Sequence, residues 1–311
     1  MSNKKTCYRL TMFVIFFLIF LFSANRMNAQ IPKEVQDRLQ IPDSTHVQII
    51  TMHDKSTMMG RIVKIEETEL QFKTDFGELT IPIQKIMSIA LVPVSSIKSG
   101  QYWFPNPNAT RLFFAPTGRM LKKKDGYFAD YYLLFPAVAY GITNNITIGG
   151  GMSLIPGVDI DRQIFYFTPK IGLTAGGNLN LALGALIIKI PDFDDDESDS
   201  DDDVASPLVG LLYGVGTYGT VNSSLTLGLG YGFVDDKVAD KPMVVIGGEQ
   251  RISRRLALVT ENWIMPGVDY PLISYGLRFF SEKLSVDLAF LNTTEDPIFP
   301  GIPYIDFVFN F

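Results

Sequence analysis

A chain of 311 residues, 47% hydrophobic and 19% charged, is too apolar and too weakly charged to stay disordered, and it is long enough for one large domain or two ordinary ones. Its formal charge of -6 at pH 7 argues against a nucleic-acid partner, whose footprint is basic. One Cys and two His rule out a disulfide scaffold and a multi-cysteine metal site, and no cofactor is expected.

The chain opens with an export signal pattern over 1–29. Lys4, Lys5 and Arg9 precede the apolar run Met12 to Phe22, which is too short for a membrane helix of ~20 residues. Ser23, Ala24 and Ala29 supply small residues, and cleavage is expected after Ala29. Cys7 stands before the apolar run, where a lipid-carrying Cys would follow it. Loss of Lys4, Lys5, Arg9 and Arg26 takes the formal charge from -6 to -10 and removes the one Cys.

A short linker, 30–43, leads to a small β-domain over 44–95. Five short strands are predicted: Val47 to Met52, Met58 to Ile65, Glu69 to Thr74, Leu79 to Ile83 and Ile86 to Val92. Asp75-Phe76-Gly77 forms a hairpin turn, with Gly where a positive φ is needed. A strand, then Gly60 near the start of the next, then a Gly-containing hairpin resembles the small SH3-like and Sm-like barrels. Behind an export signal and without a basic-aromatic stripe, the domain reads as a periplasmic docking module with a protein partner. His46 and His53 lack the further ligands that zinc requires.

Pro93, Gly100, Pro105 and Pro107 mark a linker over 96–109. From Thr110 to Phe311 the pattern changes to segments of about ten residues alternating in period two, the signature of a transmembrane β-barrel. Twelve strands are read: 110–116, 127–140, 146–155, 162–173, 179–190, 207–219, 224–233, 241–252, 256–264, 270–281, 284–292 and 302–311. The number falls to ten if 110–116 stays out of the sheet. In 284–292, Leu284, Val286, Leu288 and Phe290 oppose Ser285, Asp287 and Ala289. In 270–281, Ile273, Tyr275, Leu277 and Phe279 oppose Ser274, Gly276 and Arg278. Links alternate between short turns and longer loops, which places both ends of the barrel on the periplasmic side.

The last strand sets Ile305, Phe307, Phe309 and Phe311 on one face and Asp306, Val308 and Asn310 on the other. Such a strand, ending in Phe, resembles the C-terminal recognition strand of bacterial outer-membrane proteins. The resemblance implies lipid of the outer membrane and the barrel-assembly machinery as partners. Asn106-Pro107-Asn108-Ala109-Thr110-Arg111, Phe113-Phe114-Ala115-Pro116 and Tyr140-Gly141-Ile142-Thr143 resemble uncharacterised outer-membrane proteins of the Bacteroidota. That resemblance, from about Tyr102 onward, implies a location and a fold and no activity.

Glu249, Arg251, Glu261, Arg278, Asp287 and Asp306 fall on the predicted lumen face. Buried charges must pair, so they read as a salt-bridged filling or, on the other reading, as a polar lining for a solute path. No His follows Asp54, which excludes Ser-His hydrolysis inside the barrel. A carboxylate-only mechanism around Glu249, Glu261 and Asp287 stays open. Asp192, Asp194, Asp195, Asp196, Glu197, Asp199, Asp201, Asp202 and Asp203 form an acidic outer loop. It lacks the Gly and the terminal Glu of an EF-hand, so it reads as a solvated, self-repelling segment.

The expected fold is therefore all-β: an antiparallel transmembrane β-barrel of twelve strands, or ten, preceded by an SH3/Sm-like domain. The expected role is non-enzymatic, in envelope structure or docking. The alternatives are a narrow channel or transporter for small solutes and a soluble secreted β-sandwich.

Overall fold

The computed structural model describes residues 33–191, 207–295 and 297–311. The predicted signal segment 1–29 lies outside them. The chain divides into two compact units, one ending at Trp103 and the other running Phe104–Phe311.

In the first unit a turn of helix, Lys33–Gln36, precedes five strands: β1 (His46–Met52), β2 (Thr57–Ile65), β3 (Glu69–Thr74), β4 (Gly77–Pro82) and β5 (Ile86–Pro93). They form one antiparallel sheet in the order β4-β3-β2-β1-β5, so the last strand returns to pair with the first. The β3–β4 hairpin turns at Gly77, whose φ of 135° is open to glycine and costly for other residues. Alternating apolar residues close a core of Ile50, Ile62, Leu70, Phe72, Ile81 and Ile89, with Val35 of the helical turn packed in. Two further short strands, β6 (Ile97–Lys98) and β7 (Gln101–Tyr102), pair with each other.

The second unit is a closed antiparallel barrel of twelve strands. Its staves are β8 (Gly126–Tyr131), β9 (Phe135–Gly141), β10 (Ile146–Met152) and the interrupted pair β11 (Phe165–Phe167) and β12 (Lys170–Thr174). Then come β13 (Leu179–Lys189), β14 (Leu208–Thr220) and β15 (Ser223–Val234). A two-residue strand, β16 (Lys237–Val238), folds back on β15. The wall continues with β17 (Met243–Ser253), β18 (Leu256–Ile264), β19 (Leu272–Phe280), β20 (Leu284–Thr293) and β21 (Ile302–Asn310). Pairing of β21 with β8 closes the ring, with Val308 opposite Ala129. Closure satisfies every ladder, which is what a sheet in hydrocarbon requires. A single closed ring also replaces the β-sandwich alternative.

The two faces of the wall have opposite chemistry. Along β15, Leu225, Leu227, Leu229 and Tyr231 point outward and are 43–62% exposed, while Thr226, Gly228 and Gly230 are buried. Leu258, Tyr275, Leu288, Ile305 and Phe309 likewise look outward. An apolar exterior around a polar interior is the architecture of an outer-membrane β-barrel. Among the described residues no helix is long and apolar enough to cross a membrane, which says nothing of a barrel.

Two strand assignments are corrected. Residues 127–140, read as one strand, form both β8 and β9, joined through Tyr132 and Leu133 at φ 56° and 61°. Bulky residues rarely take that left-handed conformation, and the turn carries none of the Gly, Asn or Asp that announces one. Residues 110–116, read as the first strand, are not in the wall. Pro116 ends this stretch, and its one ladder contact is a bridge between Arg111 and Pro116. The two differences offset each other, so the number of staves stays at twelve.

The stretch 104–125 runs inside the barrel as a strap. It starts at the short-turn end, where Phe104 packs edge-on against Phe280, and rises until Phe114 meets Tyr131, Tyr132 and Tyr304. A tight reversal, with Leu112 N donating to Ala115 O and Thr117 N to Thr110 O, sends it back down. Lys123 N then bonds Asn144 near the short-turn end, and β8 begins at Gly126. The expected linker 96–109 is thus divided, its residues from Phe104 onward belonging to the strap, and residues 117–125 form the strap's descending arm.

Candidate functional site

A barrel of about eight strands can fill its interior with side chains, and one of 16–18 leaves a channel. A ring of twelve strands lies between these two cases. The lumen here is filled by the strap, whose backbone arrives with unpaired N–H and C=O groups that must find partners away from water. The charges of the inner wall supply them.

Glu261 of β18 is fully buried, and its Oε2 accepts three successive backbone N–H groups: Phe113 at 2.8 Å, Phe114 at 3.0 Å and Ala115 at 2.9 Å. Its Oε1 accepts the indole N–H of Trp263 at 2.7 Å. Arg278 of β19 does the complementary work. Its Nη1 donates to Asn108 O at 2.9 Å and its Nη2 to Leu112 O at 2.7 Å. Its charge is met by Asp287 in a fork, at 2.8 and 2.7 Å, and by Glu249 at 2.7 Å. Register explains the fork, since Arg278 and Asp287 are direct cross-strand neighbours and Asp306 stands next in the same row.

Asp306 pairs with Arg111 of the strap at 2.7 Å and accepts the Tyr304 hydroxyl at 2.5 Å. Arg111 also bonds Phe113 O and lies over the Tyr131 ring. Tyr131 faces the strap. Lower down, Asn106 donates to Glu249 at 2.5 Å, and Arg251 donates to Phe104 O at 2.8 Å while covering the rings of Phe104 and Phe280. On the returning arm, Arg119 donates to the carbonyls of Gly219 at 3.0 Å and Thr220 at 2.7 Å. Two glycines permit the contact there: a Cβ on Gly118 would strike Asn180 O, and one on Gly141 would strike Lys122 O.

All six lumen charges named from the sequence are thus buried on the inner face, and five of them belong to the clamp on the strap's first arm or its ion pairs, with Arg251 at its foot. The partners were not named there. Asn106 lies in the stretch read as linker and Arg111 in the one read as a strand, and Arg119 follows them. Lys170 did leave a signal, because Ile171 and Leu173 point outward and so put Lys170 on the lumen face. The carboxylates considered for catalysis have their oxygens occupied: Glu249 by Arg278 and Asn106, Glu261 by four N–H groups, Asp287 by Arg278. Among the described residues no three His, Cys, Asp or Glu side chains come together as a metal site. Ile305, Phe307 and Phe309 of the C-terminal strand lie on the face opposite buried Tyr304, Asp306 and Val308, and Phe311 follows the strand's end. The nine acidic residues Asp192 to Asp203 lie outside the described residues.

Two cavities flank the strap. One, of about 200 Å³, lies between its apex and the wall toward the longer loops, and is lined mainly by apolar side chains such as Leu186, Leu211, Val215 and Val245. The other, of about 560 Å³, opens at the short-turn end beside Arg119, Asn145 and Asn178.

No protein family matches the chain, and no curated protein does. Solved structures similar to it include a loop L8 deletion mutant of OmpT, an outer membrane protein of Vibrio cholerae. That match has 11% identity and a TM-score of 0.33, covering 86% of this chain and 97% of that one. A mutant porin of Rh. blastica matches at 10% identity with a TM-score of 0.32, covering 86% of this chain and 98% of the porin. Likeness at this level does not reach the residues of the lumen.

Proposed function

We propose that this chain is a non-enzymatic outer-membrane barrel shut by its own strap, serving the envelope as a scaffold or docking point. The observation that supports this reading is the clamp on 113–115, where one buried carboxylate holds three consecutive backbone amides while Arg278 holds the carbonyls of Asn108 and Leu112. Such a segment is an integral part of the lumen filling. On this reading the first unit, with its returning fifth strand, is an SH3/Sm-like module that meets a protein partner in the periplasm. The C-terminal strand is the signal read by the assembly machinery, as in the bacterial outer-membrane proteins whose last strand it resembles.

The test is conductance of the full chain in planar bilayers, with insertion checked by heat-modifiable gel mobility. The folded wild type is expected to give closed records. Arg278→Leu, which releases the strap's carbonyls, is expected to give opening events. Steady open steps from the wild type would contradict a closed lumen. The narrow-channel reading has one observation in its favour: the two cavities lie on either side of the strap, and moving it aside would join them.

A further inference from the structure

Lys170 is a buried amine whose hydrogen-bond partners are all backbone carbonyls. The buried charged side chains of the described barrel are five cations, Arg111, Arg119, Lys170, Arg251 and Arg278, against four carboxylates, Glu249, Glu261, Asp287 and Asp306. Arg111 and Arg278 take up Asp306, Glu249 and Asp287. Lys170, 8% exposed, has no carboxylate within ion-pair distance among the described residues. Its Nζ donates to the carbonyls of Arg119 at 2.8 Å, Thr117 at 3.3 Å and Thr110 at 3.4 Å, and two of these bonds are long. Carbonyl dipoles solvate the ammonium in part, and a buried charge without a counter-charge is costly.

The same lysine lines the 200 Å³ cavity, and so does Arg111, whose buried Nε has no hydrogen-bond partner. The other lining side chains are mainly apolar, Leu186, Leu211, Val215 and Val245 among them, and Trp263 completes the wall. An apolar cavity of ~150 Å³ stays dry and takes up a benzene ring, so by proportion this one suits about eight carbons. An amine held only by carbonyls and one orphaned donor at the edge of an apolar hole describe a ligand with a single negative head and a short tail.

We propose that the cavity binds a medium-chain alkyl carboxylate, its head against Lys170 and Arg111 and its tail among the apolar wall residues. The proposal rests on the closed-lumen reading, since Arg111, Phe114 and Ala115 of the strap line the cavity; steady open steps from the wild type would count against that reading, and an absent octanoate preference in a closed barrel would count against the proposal alone.

Trp263 supplies the readout, because Trp103 is the other of only two tryptophans and can be replaced. The full chain carrying Trp103→Phe, in nanodiscs of zwitterionic lipid, would be titrated with octanoate, octan-1-ol and octylamine against empty nanodiscs. Octanoate is expected to shift Trp263 emission saturably, at least about tenfold more tightly than octylamine. Lys170→Gln should keep octanol binding and lose the preference for octanoate. Gly228→Val fills the cavity from the wall without touching the strap, since a Cβ there meets nothing nearer than Val245 at 3.6 Å, and it should abolish both. Heat-modifiable mobility confirms that each variant is folded. An absent response to octanoate, equal affinity for all three probes, or an unchanged preference in folded Lys170→Gln would each overturn the proposal.

Discussion

The two units of this chain bury opposite chemistry. The core of the first is Ile, Leu, Val and Phe, with Ile50, Ile62, Leu70 and Phe72 wholly enclosed. The centre of the second is Arg278, Asp287, Asp306 and Glu261, equally enclosed. The difference follows from the solvent that each outer face meets. In water, apolar side chains leave the surface and fill the middle. A barrel in lipid spends its Leu, Tyr and Phe on the outside, so its middle is polar and must be satisfied bond by bond. Cohesion in the first unit is therefore spread over many contacts, and in the second it is concentrated in a few charged groups.

The largest expected effect is at the centre of the barrel. Arg278→Leu leaves Asp287 and Glu249 buried without their cation and strands two strap carbonyls, a loss of about 3–5 kcal/mol. Urea titration of the chain refolded in vesicles should show the barrel transition moving by that amount and the first unit's transition unmoved. Next comes Ile62→Ala, a cavity in the apolar core costing about 2–5 kcal/mol. It should move the first unit's transition and leave the bilayer records unchanged. The smallest effect belongs to the outer wall. Leu227→Ala, on a lipid-facing position, leaves no cavity because lipid fills the space, and is expected to lower barrel stability in the same urea titration by about 1–2 kcal/mol, the transfer free energy of the lost carbons. A large effect there would mean that the outer face packs against protein.

The barrel wall was legible in the sequence because each strand carries its own two-residue period. Ser285, Asp287 and Ala289 were set on the face opposite Leu284, Val286 and Leu288, and they are buried in the lumen. The turn at Tyr132-Leu133 was not legible, since it carries no turn residues and its Tyr132 ring packs edge-on against Tyr304 and tilted against Phe114, both distant in sequence. The strap was illegible for a further reason. Glu261 and the amide of Phe113 are 148 positions apart, so nothing local to 110–116 says that its backbone will be claimed by side chains from the opposite wall. Alternation placed the lumen charges on the inner face, and only the closed ring tells which group each one meets.

The claim that joins these observations is that the wall holds the strap by its backbone amides. Residue-resolved hydrogen exchange on the folded barrel tests it directly at Phe113, Phe114 and Ala115. Slow exchange at all three amides, comparable to the ladder amides of β18 and lost in Glu261→Ala, is the predicted result. Exchange at the rate of an unprotected loop would contradict it.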